Sequence, residues 1–105
     1  LSDLERYGRE RQQCVEFRNE YLVLIHKLEA QVKALLSVDD VQITDNRMVG
    51  MNSQTESKFT MEAREWPTID KIITALRRYN DARKKQRATY DALEKSARVG
   101  VERPL

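Results

Sequence analysis

Apolar positions recur along the first third of the chain at alternating spacings of three and four. Leu4, Tyr7, Arg11, Cys14, Arg18, Tyr21, Ile25, Leu28, Val32 and Leu35 mark one such line, which predicts a single long helix over about residues 3–37. Ser2 and Asp3 suit its start, and Glu5–Arg9, Arg6–Glu10 and Glu29–Lys33 stand four apart on its polar side. Val15, Phe17, Leu22, Leu24 and Leu36 widen the apolar stripe beyond a two-helix seam, as when a helix touches two neighbours. The same rhythm returns in Ile69, Ile72, Leu76, Tyr79, Arg83, Gln86, Tyr90, Leu93 and Ala97. A second helix is expected over about 67–98, opened by Pro67, Thr68 and Asp70 and stopped before Gly100 and Pro104.

Between them, residues 38–66 break the rhythm. Asp39-Asp40, Asn46, Gly50 and Asn52-Ser53 are turn formers, and the stretch reads as a flexible, irregular linker. "VQIT" and "KFTM" alternate enough for a small hairpin, while "SQTE" has the spacing of a capping box and would open a short helix. Trp66, just before Pro67, suits either a staple on the second helix or an anchor for a partner.

The expected fold class is therefore all-α: long helices in a spectrin-repeat-like or antiparallel coiled-coil bundle, joined by an irregular linker. Folded back antiparallel, the helices would pair positions whose numbers sum to about 104 or 105. Leu28 would then face Leu76, Ile25 would face Tyr79, Tyr21 would face Arg83, and Arg11 would face Glu94. Tyr21, Ile25, Leu28, Val32, Leu35, Ile69, Ile72, Leu76, Tyr79, Tyr90 and Leu93 are the expected structural seam. Half of that seam is polar. Arg11, Arg18, Arg83 and Arg87 either pack their stems with their heads in water, or await acidic groups from another helix or a partner.

Composition sharpens this picture. The chain has 105 residues, 40% hydrophobic and 34% charged, with three Gly and two Pro, which suits long amphipathic helices. It begins at Leu1 and stops at "VERPL", as expected of a segment of a larger rod. A single Cys fits a reducing cytoplasm, and the longest apolar run, "YLVLI", is far too short to span a bilayer. The net charge of +2 is uneven: residues 66–105 carry ten basic and five acidic side chains. Within "RRYNDARKKQR" (77–87) the basic groups scatter around the helix, and Asp81 and Asp91 stand four from Lys85 and Arg87. That pattern favours a solvated helix face over a nucleic-acid surface, which would gather its charge on one side.

Cys14 and His26 lie twelve positions apart on one helix, so they form neither a nucleophile–base pair nor a zinc site. No glycine-rich phosphate loop is present. No enzyme, cofactor or metal is expected.

The first helix reads "LERYGRERQQCVEFRNEYLVLIHKLEAQ". Its order of Glu5-Arg6, Gly8, Cys14, Phe17, Tyr21, Ile25, Glu29 and Gln31 resembles the last spectrin-like repeat of the plakin domain in plakin cytolinkers, of the plectin and spectraplakin kind. Leu76-Arg77, Tyr79 and Tyr90 in the second helix are similar to the Leu-Arg pair and two tyrosines that follow there. Residues 38–66 lie outside the resemblance. It implies a cytoplasmic, cytoskeleton-associated scaffold, at cell junctions, that spaces and transmits load between filaments and adhesion complexes. Its partners would be cytoskeletal or adhesion-complex proteins and neighbouring helical repeats, and it implies no catalytic or ligand residue. A basic hairpin for nucleic acid and a coiled-coil oligomerisation module are the alternatives.

Overall fold

A computed structural model of the chain describes residues 2–105, so Leu1 lies outside the described residues. The elements run α1 (Asp3–Leu36), β1 (Asp40–Thr44), β2 (Arg47–Asn52), β3 (Ser57–Glu62), a 3-10 turn (Ala63–Glu65), α2 (Ile69–Ala92) and α3 (Lys95–Arg98). The all-α expectation is overturned. The chain is 62% helical and also holds a three-stranded antiparallel sheet that accounts for 16% of it. The stretch read as an irregular linker is that sheet.

The chain divides into two compact units. One holds the residues up to Leu22 together with Asp70–Leu105; the other is Val23–Ile69. In the second unit the strands follow in order β1-β2-β3, a simple meander. Asp45-Asn46 joins β1 to β2, with Asp45 at φ 52°, a left-handed conformation that a short polar side chain tolerates. Ser53–Glu56 joins β2 to β3. There the Asn52 side-chain carbonyl accepts from the backbone N–H groups of Gln54 (3.0 Å) and Thr55 (3.3 Å), fixing the turn.

The register puts Val41 opposite Gly50, Ile43 opposite Met48, Gly50 opposite Phe59 and Met48 opposite Met61. Directly opposed residues share a face, so these six make one apolar face. Met61 and Gly50 are buried, Met48 and Phe59 half-buried, and Ile43 on the outer strand is 75% exposed. The opposite face is mostly polar, with Arg47 and Glu62 paired across β2 and β3 at 3.6 Å. Asp39 fastens the start of the meander. Its N–H donates to Met51 O (3.2 Å), while its carboxylate accepts from the N–H (3.1 Å) and the hydroxyl of Ser53. Those bonds hold the Asp39 carboxyl below its ordinary range. At the far side of the unit, the Gln31 side-chain amide donates to Glu65 O at 3.1 Å.

In the first unit, α1 up to Leu22 runs antiparallel to α2. The buried positions are Tyr7, Glu10 and Cys14 on α1, with Ala75, Ala82, Gln86 and Thr89 on α2 and Leu93 just after it. They recur at helical spacing, but most are small or polar. The facing pairs are Tyr7 with Tyr90 (ring centroids 5.3 Å apart), Glu10 with Thr89, and Phe17 and Glu20 with Arg78. Their numbers sum to 95–99, well short of the expected 104 or 105. Large apolar residues set the expected register; the small and polar stripe sets the one observed. Helix α2 ends at Ala92, and Arg98 closes it by donating to the carbonyls of Asp91 (2.5 Å) and Leu93 (3.0 Å).

Candidate functional site

The polar groups of the first unit converge on the segment 99–105, which lies along α1 and α2. The Tyr7 hydroxyl donates to Glu102 O at 2.5 Å. Arg11 donates from Nε to Arg103 O at 3.1 Å and pairs with the Glu102 carboxylate at 2.9 Å. From α2, Arg83 Nε (3.4 Å), Gln86 Nε2 (3.3 Å) and Arg87 Nε (3.2 Å) all reach the main-chain oxygen of Leu105. This works because Arg83 and Arg87, four apart, and Gln86 between them share one side of α2.

Cys14, on α1 between Arg11 and Arg18 in sequence, is fully buried and without a disulfide. Burial pushes its thiol pKa up, and the positive charges of Arg83, Arg11, Arg18 and Arg87 draw it partly back. The direction that wins is upward, so this thiol stays protonated at neutral pH and is a poor nucleophile. Three of the four arginines singled out in the sequence, Arg11, Arg83 and Arg87, are brought together on the segment 99–105. Arg11, Arg18 and Arg83 are half-buried and Arg87 is exposed. Arg18 Nε is buried with no hydrogen-bond partner, and so is Gln86 Oε1.

Two pairings expected for these arginines are replaced. Arg11 meets Glu102 and not Glu94. Arg83 lies over the ring of Tyr79, 5.4 Å from its centroid, and not over Tyr21. In the basic stretch 77–87, Arg78 stacks on Phe17 at 4.3 Å and pairs with Glu20 at 3.3 Å. Arg83 and Arg87 are turned to Leu105, leaving Arg77, Lys84 and Lys85 as the exposed remainder.

Of the expected seam, Leu93 is buried, while Tyr21, Ile25, Leu28, Leu35, Ile72, Leu76, Tyr79 and Tyr90 are half-buried. Val32 and Ile69 stand 42% and 67% exposed, outside any core. Trp66 is half-buried, and its indole N–H is buried without a partner. Thr89 and the segment 99–105 escaped the sequence reading, and Glu10, read as the polar-side partner of Arg6, does stand 3.8 Å from it but is buried. Glu10 and Thr89 sit on no apolar line, and nothing in "VGVERPL" signals docking. The spacing of Ala75, Ala82, Thr89 and Leu93 was the available clue to the true stripe.

Among the described residues no helix is long and apolar enough to cross a membrane, and no group of three or more His, Cys, Asp or Glu is placed to hold a metal. The chain's polar groups hold one part of it to another, through donors on both helices. No protein-family model, curated protein or solved structure matches this chain.

Proposed function

We propose that this chain is a structural segment of a larger scaffold protein, acting through protein–protein contacts to space and transmit load. The observation that carries this reading is the fastening of residues 99–105 to both helices at once. Tyr7 and Arg11 hold it from α1, and Arg83, Gln86 and Arg87 hold it from α2. A pull on that segment is shared among several bonds, which suits a load-bearing piece better than a catalyst.

The resemblance of Cys14, Phe17, Tyr21, Ile25, Glu29 and Gln31 to a plakin-domain repeat supplies the cytoskeletal context. The sheet has no place in an all-helical repeat, so that context rests on the helices alone. Cosedimentation with F-actin, microtubules and reconstituted intermediate filaments tests the reading. Enrichment of the chain in at least one of the three pellets is expected. Recovery in every supernatant would overturn the cytoskeletal role.

A further inference from the structure

Strand β1 lies at one edge of the meander, and β2 takes only one of its sides. The two-residue loop Asp45-Asn46 closes on Thr44 opposite Arg47, a pair that exchanges both main-chain bonds. Such pairs alternate along an antiparallel ladder, so Gln42 and Asp40 also bond inward. Val41 and Ile43 therefore turn their N–H and C=O groups away from β2. Among the described residues, those outward groups have no main-chain partner. Every residue of the strand is exposed.

Sheets that stay alone blunt such an edge with charge, Pro or a bulge. The far edge, β3, carries Lys58 and Glu62. Strand β1 has no Lys, Arg or Pro, and its single charge, Asp40, stands at its first position. Val41 is 40% exposed and Ile43 75%, and both belong to the apolar face of the sheet. The strand also reads polar, apolar, polar, apolar, polar from either end. Turned antiparallel onto a second copy about Gln42, it sets Val41 opposite Ile43 on both sides of the centre, and Asp40 opposite Thr44. Val41 and Ile43 then exchange both main-chain bonds in each of those pairs. The charges agree with that register. Across the polar face the row becomes Asp40 of the second copy, Thr44, Arg47 and Glu62, so the added carboxylate approaches from the free side of Arg47 and meets no like charge.

We propose that β1 is a self-pairing edge: two copies of this chain join β1 to β1, antiparallel about Gln42, into a single sheet with a continuous apolar face. The interface is isologous, because each copy offers the same strand, so it closes at two copies and leaves the charged β3 outermost. A strand edge buries far less than the roughly 1,600 Å² of a standard interface, so the dimer is a weak one. The pairing rests on the sheet alone and stands independently of the scaffold reading.

Sedimentation equilibrium of the chain at concentrations up to about 1 mM, the range a weak interface needs, should show the mass rising toward two chains. Ile43→Lys should hold the mass at one chain and leave the melting temperature unchanged, because Ile43 is exposed in the single copy. Oxidative crosslinking then reads the register. Gln42→Cys would meet its own mate at about 4.5 Å between Cα atoms, within disulfide reach, and should be trapped as a dimer. Thr44→Cys, on the same face but roughly 14 Å from its mate, should not, and neither should the parent chain, whose Cys14 is buried. A chain that stays single at every concentration overturns self-pairing and leaves the edge to an extended strand of another protein. A dimer that survives Ile43→Lys, or that both cysteine variants trap equally, overturns it as well.

Discussion

Glu10 is a carboxylate with 7% of its surface exposed, and the Thr89 hydroxyl donates to it at 2.6 Å. The same hydroxyl lies 3.2 Å from Lys85 O, but it has one proton, and the charged acceptor is the stronger. Arg6 stands 3.8 Å from the other carboxylate oxygen and is half in water, so it replaces little of what Thr89 gives. Thr89→Val should therefore destabilise the chain by about 2 kcal/mol in urea unfolding, while Thr89→Ser should stay near the parent. A valine variant as stable as the parent would mean that Glu10 finds its donor elsewhere. At this scale the sequence was legible where a residue interrupts an apolar line. Arg11, Arg18 and Arg83 stood out because charge occupied seam positions. Glu10 and Thr89 did not, because a buried polar pair shows only when both partners are seen together.

The sheet shows how an element escapes pattern reading. Strands β1 and β3 carried visible alternation, in "VQIT" and "KFTM", but β2, the strand that joins them, has Gly50 at its centre and reads as a turn. The structure explains that glycine. A Cβ placed on Gly50 would stand 2.5 Å from Cε1 and 3.0 Å from Cε2 of Phe59, whose ring covers the backbone from the neighbouring strand. An aromatic ring over a strand glycine makes good the side chain the glycine lacks. Gly50→Ala should then expel the ring and destabilise the chain by about 1–3 kcal/mol. Adding Phe59→Leu should recover part of that loss, because the smaller side chain leaves room for the methyl group. Simple additivity of the two changes in thermal unfolding would contradict this account. The helices, by contrast, were legible from spacing alone, since three-four recurrence survives whatever fills the positions. Their register was not, because large apolar residues were counted while Ala75, Ala82, Gln86 and Thr89 form the buried line.

For the molecule as a whole, the order of the units along the chain matters. Val23–Ile69 is one uninterrupted stretch, whereas the other unit joins residues from both ends of the sequence. Every strand pairing is between neighbours in sequence, and the most distant tie named within that stretch, Gln31 to Glu65, closes 34 residues. Glu10 and Thr89, by contrast, are 79 positions apart. Nothing in the periodicity of either helix discloses this division, because α1 contributes to both units without a break.

The Gln31–Glu65 tie therefore has a kinetic consequence. Once the meander and its flanks have formed, the free length of chain separating the two halves of the helix pair is shortened. Each halving of a flexible loop lowers its closure cost by about 0.6 kcal/mol. Folding should start at the meander, proceed through Glu20–Arg78 and reach Glu10–Thr89 late, with residues 99–105 last. Stopped-flow refolding gives the check: Phe59→Leu should slow folding, with a φ-value above about 0.5, and Thr89→Val should mainly speed unfolding, with a φ-value below about 0.3. The reverse order would place the nucleus in the helix pair. On the expected order, a nascent chain acquires its sheet before the second helix has emerged to dock on the first.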